Sequence, residues 1–227
     1  MCATAAIPEI VTSRSVQPEI LDGLSQDSAA AQASRRDLRI INRLLGSQAW
    51  FEGILQNNRR AGESVLEIGA GTGELGRALS AIVPEAELAG LDLGRRPADW
   101  PQQASWFETD VFDFTDWADY PIVIGNLFFH HFDDARLAEL GACLNEHARV
   151  IIASDPLRER RTTTLFSLVC PLINAHPVTR HDGLVSITAG FRHDELPHLL
   201  QLDPAIWRWR VQETWLGSCR LVAERCA

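Results

Sequence analysis

The stretch VLEIGAGTGELG, residues 65–76, decides the fold of this chain. Its first four residues, VLEI, have the composition of a short buried strand, and ELGRALSAI directly after the glycines has apolar residues at helical spacing. Glycine lets the backbone turn sharply and leaves no Cβ between the chain and a bound ligand. The stretch therefore predicts a strand, a glycine turn and a helix that together bind a nucleotide.

Two kinds of nucleotide use such a turn. Gly71, Gly73 and Gly76 match the dinucleotide fingerprint GxGxxG, and Asp92 follows about twenty residues later, as that fingerprint expects. Glu67 argues against a dinucleotide, because a carboxylate just before the turn would repel a pyrophosphate seated at the following helix. S-adenosylmethionine (SAM) has no phosphate and carries two cationic groups. The residues therefore favour SAM as the ligand.

Further apolar runs alternate with helical segments along the chain, which predicts a parallel sheet with helices on both faces. Helices are expected over residues 27–45, 48–58 and 133–147. The last two runs are joined by a short turn, so a hairpin should add an antiparallel strand. The predicted strands cover residues 64–68, 87–91, 105–109, 121–125, 148–153, 207–213 and 219–223.

Acidic residues follow three successive strands at their carboxyl ends, where ligands of such sheets bind. Asp92 ends the second strand and is placed to accept from both ribose hydroxyls. Asp110 follows the third strand and is placed to accept from the adenine amine. The predicted cofactor-binding residues are Glu67, Gly69, Ala70, Gly71, Gly73, Asp92, Leu93, Asp110, Val111 and Asn126.

The segments VLEIGAGTGELG (65–76), LDLG (91–94) and ETDVF (108–112) resemble the successive cofactor motifs of class I SAM-dependent methyltransferases. The resemblance covers roughly residues 64–153 and, in outline, the C-terminal hairpin. It implies a Rossmann-like α/β fold: a seven-stranded, mostly parallel sheet with an antiparallel last strand and helices on both faces. It also implies SAM as the cofactor and methyl transfer as the activity.

The fourth strand ends in GNLFFHHF, residues 125–132, which resembles the segment of small-molecule methyltransferases where a His or Glu faces the acceptor. In the family's topology this end lies beside the first strand, so Asn126 would contact the SAM ammonium or line the methyl channel. A histidine beside a hydroxyl acceptor could take its proton. His130 and His131 are the catalytic candidates, with His130 preferred; the alternative is that both serve packing or helix capping.

The chain is expected to divide into an N-terminal arm and helical cap (1–60) and a SAM-binding domain (61–227). Residues 1–26 are expected to form a loose arm. The long connection at about 155–192 predicts a lid, with an apolar helix followed by a polar turn at 178–183. That helix either packs on the sheet edge or forms an apolar acceptor pocket from Leu165, Phe166, Leu168, Phe128 and Phe129.

The composition limits which substrates, ligands and cellular locations can be expected for this chain. The net charge is −9, and all 21 basic residues are arginine, so lysine chemistry is excluded and nucleic acid is disfavoured as a substrate. Five scattered cysteines without a CxxC pair predict reduced thiols. With neither a signal peptide nor a membrane span in the sequence, a cytoplasmic protein is expected. No metal site is expected, because adjacent histidines lack the i, i+4 spacing of a helical metal motif.

The leading hypothesis is methyl transfer from SAM to a small, largely apolar aromatic or polyketide-like acceptor at a hydroxyl oxygen. DPLRERR (155–161), VTRHDGLVSITAGF (178–191) and SRRDLRIIN (34–42) resemble a bacterial branch of small-molecule methyltransferases associated with such metabolism. Transfer to carbon stays open. The alternatives are a nicotinamide-dependent oxidoreductase and a non-catalytic SAM-binding partner protein.

Overall fold

The computed structural model describes residues 13–226, which form one seven-stranded sheet in the order β3-β2-β1-β4-β5-β7-β6. Strands β3, β2, β1, β4 and β5 are parallel, and β7 lies antiparallel between β5 and β6. All seven predicted strands are present, so the predicted fold class is confirmed. The strands are β1 (Val65–Ile68), β2 (Leu88–Asp92), β3 (Ser105–Glu108), β4 (Ile122–Asn126), β5 (Val150–Pro156), β6 (Trp207–Glu213) and β7 (Ser218–Arg225).

Helices cover both faces of the sheet, and their ends follow local capping rules. The hydroxyl of Ser28 accepts a hydrogen bond from Ala31 N at the start of the first helix, and Gly46, at φ 66°, ends that helix and begins the next. Asp133 caps the fourth helix. The helices are α1 (Ala29–Leu45), α2 (Ser47–Asn58), α3 (Glu74–Leu79), α4 (Asp134–His147), α5 (Arg160–Leu172), α6 (Pro177–Ala189) and α7 (Glu195–Leu199).

The core lies in two layers because successive strand residues point to opposite faces. Leu66 and Ile68 join one apolar cluster with Phe129 and the residues of α4. Val65 joins the other cluster with Phe51 of α2 and the residues of α3. Glu67 shares the face of Val65, which directs a carboxyl toward the α3 layer.

The polar turn predicted at 178–183 is wrong, because these residues lie inside α6. Pro177 occupies the first turn, where its fixed φ suits a helix, and His176 accepts from Val178 N as the cap. Gly183 serves helix contact instead of a turn: an added Cβ would lie 2.0 Å from Cζ of Phe166 in α5. The small residue therefore lets α5 and α6 pack closely.

The loose arm predicted for residues 1–26 is wrong from Ser13 onward, while residues 1–12 lie outside the described part. The Arg14 guanidinium donates to Phe132 O at 2.6 Å and pairs with Asp134 at 2.8 Å. The two oxygens of Asp182 accept from the N–H groups of Ile20 and Leu21, each at 2.9 Å. Residues 13–28 thus form a strap, called here the N-terminal strap, that is fastened to α4 and α6.

The helices between Ser13 and Cys226 are all too short or too polar to cross a membrane. Four of the five cysteines fall in the described range, and each of them is a free thiol.

Candidate active site

The glycine turn after β1 requires glycine for both conformation and space. Gly69, Gly71 and Gly73 have φ values of 65°, 55° and 72°, in the left-handed region that disfavours a Cβ. At Gly69 an added Cβ would also lie 2.1 Å from Cδ2 of Phe128. The backbone of the turn is therefore closely packed against the ring that follows β4.

Asp92, at the end of β2, holds this turn in place through hydrogen bonds. Its Oδ2 accepts from Gly71 N at 2.7 Å, and its Oδ1 accepts from Gly94 N at 2.7 Å. Backbone N–H groups thus fix the carboxylate at the sheet edge, and each oxygen keeps a further lone pair for a ligand donor. The neighbouring Leu93 is 74% exposed.

Asp110 follows β3 at the same edge. Its Oδ1 accepts from Phe112 N at 3.0 Å, which closes a local turn of the kind that aspartate favours. Val111, next in sequence, is buried in the core cluster. The Asp110 side chain is thereby anchored through Oδ1, and its other oxygen accepts no hydrogen bond from the described residues of this edge.

Glu67 is buried, with 4% of its surface exposed. A Cβ added at Gly76 would lie 2.8 Å from its Oε2, so the carboxyl is packed against the first turn of α3. Burial, and secondarily the charge of Asp92, raise the pKa of Glu67 to about 8, although Gly76 N–H and Arg77 oppose this. The carboxyl is therefore mostly neutral at pH 7, and a nearby cation would favour its ionised form.

Asn126, at the end of β4, lies beside the glycine turn, because the register pairs Gly125 with Ile68. Its Nδ2 donates to Oδ1 of Asn42 in α1 at 3.4 Å. Its own Oδ1 is buried and meets no donor within residues 13–226. A buried acceptor normally finds a donor, so this oxygen keeps an unused capacity to accept a hydrogen bond.

Helix α1, part of the predicted helical cap, lies over this edge and brings two side chains to it, Arg39 and Asn42, that were not among the predicted site residues. Arg39, one turn before Asn42, forms an ion pair with Glu74 at 3.3 Å, at the start of α3. The i, i+3 spacing of Arg39 and Asn42 was the available signal, since such residues share one helix face. Arg39 thus contacts the residue directly after the glycine turn, and Asn42 contacts Asn126.

His130 is buried between two carboxylates. Its Nδ1 lies 2.7 Å from Asp155 Oδ1, and its Nε2 lies 3.4 Å from Oε1 of Glu19 in the N-terminal strap. Burial alone would lower the pKa of His130, but hydrogen bonds and charge from both carboxylates raise it to about 9. At neutral pH this imidazole is therefore a cation whose two nitrogens both have acidic partners.

His131 stacks on His130 with ring centroids 4.3 Å apart, and its Nδ1 lies 3.5 Å from Asp22. Burial raises the pKa of Glu19, yet the hydrogen bond and charge of the two histidines lower it overall. One ligand atom each of Glu19, His130 and His131 lie within 4.8 Å of one another. Both nitrogens of His130 face carboxylates, so these residues form an ion-pair cluster.

The prediction that residues of α5 and the residues after β4 together line an acceptor pocket is wrong. Phe129 is fully buried in the core, where its ring covers Gly125, because the 3-10 turn at Phe129–His131 points it inward. Leu168 faces outward with 60% of its surface exposed. Phe166 packs against Gly183 of α6. Phe128 alone of the predicted ring pair contacts the glycine turn.

Comparison with known proteins gives a match at the level of structure. No protein-family model matches the sequence, and a search of curated proteins finds no match. The plantazolicin methyltransferase BpumL, solved with a triazolic desmethylPZN analog and SAH, superposes with a TM-score of 0.70 at 12% identity, covering 91% of this chain and 93% of its own. The plantazolicin methyltransferase BamL gives 0.63 at 13%, covering 90% and 92%.

A third similar structure is the methyltransferase domain of bacterial CtHen1-C, with a TM-score of 0.60 at 14% identity, covering 80% of this chain and 97% of that one. At these identities the likeness establishes the fold. This chain has the fold of class I SAM-dependent methyltransferases, as its sequence motifs imply.

Proposed function

We propose that this chain transfers the methyl group of SAM to a small, largely apolar acceptor, at a hydroxyl oxygen. The observation that carries the proposal is the buried Oδ1 of Asn126, which has no donor among the described residues and lies beside the glycine turn that Asp92 holds in place. A buried oxygen there suits the ammonium of SAM, and a fixed carboxylate suits the ribose hydroxyls. The similar structures support SAM as cofactor, since those of BpumL and BamL contain its product, SAH.

The remaining cofactor contacts follow from positions at the same edge. Asp110 would accept from the adenine amine, with Leu93 and Val111 flanking the base. The backbone of Gly69, Ala70, Gly71 and Gly73 would lie against the methionine part, and Glu67 would stabilise its positive charge from beneath the turn. The proposed division is an N-terminal arm and cap (1–60) and a SAM-binding domain (61–227) with its insertion at 155–192.

The chemistry that SAM supplies is an electrophilic methyl group on a sulfonium. The protein contributes by aligning the two reactants, which lowers the activation barrier by about 7–11 kcal/mol in well-oriented systems. Phe128, packed on Gly69, borders the place where the acceptor must approach.

His130 is the proposed proton acceptor, with Asp155 holding its Nδ1 and His131 stacked beside it. Glu19 faces Nε2, the atom that would meet the acceptor hydroxyl. His130 is protonated on both nitrogens at neutral pH, so before it can act as a base it must lose its Nε2 proton, which Glu19 would accept as it gives way to the acceptor. Loss of its negative charge would also lower the pKa of His130 toward neutrality. The N-terminal strap therefore controls access to the base.

Calorimetric titration with SAM and with NADH tests the cofactor assignment. We expect SAM to bind and NADH to leave no heat signal; tight NADH binding without SAM binding would identify a nicotinamide-dependent oxidoreductase instead. A screen of phenolic acceptors with methyl-labelled SAM then tests catalysis. SAM binding without turnover on any acceptor would favour a non-catalytic partner protein.

Comparison of His130→Gln with His147→Gln tests the base. We expect the first variant to lose about 10²–10⁴-fold in kcat with little change in SAM affinity, and the second to keep both. An unchanged kcat in both His130→Gln and His131→Gln would remove general-base catalysis.

A further inference from the structure

A row of polar side chains crosses the sheet at its carboxyl edge. The register pairs Asn126 with Ser154, Ser154 with Arg220, and Arg220 with Gln212, so the row runs over β4, β5, β7 and β6. Side chains two positions apart share a face, and Val222 of β7 belongs to the cluster that packs on α2. The row therefore lies beneath α1 and α2.

Arg220 is the unusual member of this row. It is 9% exposed, and no carboxylate of residues 13–226 pairs with it. Its Nη2 donates to Leu45 O at 2.7 Å, and its guanidinium carbon lies 4.9 Å from the centre of the Trp50 ring. Its Nε is sealed from solvent and finds no acceptor among the described residues. A buried guanidinium without an acidic partner is costly, so this position favours an anion beside Arg220.

The start of α2 offers the other half of an anion site. Ser47 is 3% exposed, and its hydroxyl is buried without a partner in the described part of the chain. No side chain of residues 13–226 caps this 12-residue helix, and the first N–H groups of any helix lack intrahelical acceptors. Leu45 and Trp50, the two contacts of Arg220, flank Ser47 in sequence. The guanidinium thus lies at the junction of the two helices, donating to the last carbonyl of α1 beside the first turn of α2, and helix starts bind anions favourably.

We propose that Arg220, the Ser47 hydroxyl and the first turn of α2 form a subsite for a carboxylate or phosphate group of the methyl acceptor. This inference rests on the proposed function and narrows its substrate class to anionic aromatic acceptors. Asn126 lies two strands from Arg220, roughly 10 Å at the usual strand spacing. A substituted aromatic ring spans such a distance, so an acceptor with its anion at α2 would reach past Asn126, the proposed contact of the SAM ammonium, to the carboxyl edge where the methyl group is transferred. Entry requires a shift at the Gly46 junction, because the unpartnered atoms are closed to solvent.

Binding of benzoate to the SAH-loaded protein, with benzamide as its uncharged analogue, tests the subsite at constant ionic strength. We expect benzoate to bind at least tenfold more tightly than benzamide. Arg220→Met should remove this preference, whereas Arg210→Met, which deletes an exposed arginine of β6, should keep it. Equal affinities for the two probes in the wild type, or equal losses in both variants, would overturn the subsite.

Two further measurements separate the subsite from other roles of Arg220. Ser47→Ala should weaken benzoate binding about threefold without changing SAH affinity. If Arg220→Met does not fold, this variant tests the subsite instead, and unchanged benzoate binding in it would overturn the subsite. A tenfold loss of SAH affinity in Arg220→Met would assign the arginine to the cofactor and overturn the acceptor subsite. Failure of the wild type to bind SAH would instead contradict the proposed function, while the benzoate preference can still be measured on the cofactor-free protein.

Discussion

The Nδ1 atom of His130 and the backbone N–H of the same residue both face one oxygen, Oδ1 of Asp155, at 2.7 and 3.2 Å. This double contact joins the turn after β4 to the end of β5 and fixes the ring orientation. Because Nδ1 is held inside the core, Nε2 must point outward to Glu19 of the N-terminal strap. The buried Asp155 carboxylate thus determines that an acceptor can meet only Nε2 of the imidazole.

The same cluster should make stability depend on pH. The pKa of His130 is about 9 in the folded chain and about 6.5 when unfolded, so the native state binds more protons between these values. Its contribution, on the order of 3 kcal/mol at about 1.4 kcal/mol per pKa unit, is complete below pH 6.5 and lost as the pH rises through 9. We expect the free energy of unfolding to fall across this window more steeply than in His130→Gln, measured by urea denaturation. If the free energy of unfolding depended on pH in the same way in both proteins, the raised pKa of His130 would be contradicted.

Glu67 should release a proton when SAM binds. Its pKa of about 8 leaves it protonated at pH 7, and the sulfonium and ammonium of the ligand would lower that pKa. Calorimetry at pH 7 in buffers of different ionisation enthalpy should show release of up to one proton, and SAM affinity should rise as the pH approaches 8. Glu67→Gln should remove both effects. Wild-type binding without proton release would show that the ligand charge does not reach this carboxyl.

Asp92→Asn should weaken SAM binding by tenfold or more. An amide nitrogen cannot accept from Gly71 N or Gly94 N, and one such charge-assisted hydrogen bond contributes about 1.5–3 kcal/mol. The matched control is Asp113→Asn, an exposed acid near the same edge, for which unchanged affinity is expected. Similar losses in both variants would point to a general charge effect instead of a specific contact.

Gly69→Ala should destabilise the fold by about 1–3 kcal/mol, because it places a Cβ at positive φ and against the ring of Phe128. Gly53→Ala in α2, where an added Cβ meets no atom of residues 13–226 within 4 Å, should instead stabilise it by about 0.5–1 kcal/mol. Thermal unfolding of both variants measures the contrast. The double variant Gly69→Ala/Phe128→Ala should destabilise by less than the sum of its single changes; strict additivity would mean that the ring is not the obstacle.

The sequence predicted every strand to within a few residues of its observed ends, because the sequence signals of a strand are local. Strand β1 is recognisable from four residues and the glycines after them, and the left-handed conformation of Gly69 follows from what only glycine adopts easily. The error at 178–183 had a different cause. Polar residues and Gly183 look like a turn, yet in α6 the glycine admits the Phe166 ring and Asp182 holds the N-terminal strap.

What the sequence determined by itself is the order of the elements, the glycine turn, and the acids Asp92 and Asp110 at neighbouring strand ends, since parallel strands bring their carboxyl ends to one edge. Only the tertiary structure paired Glu19 and Asp155 with His130, and only it placed Arg220 at the start of α2. These partners lie far apart in sequence, and no periodicity links them. Their contacts depend on how the strap and helices pack over the sheet, which is set by long-range burial.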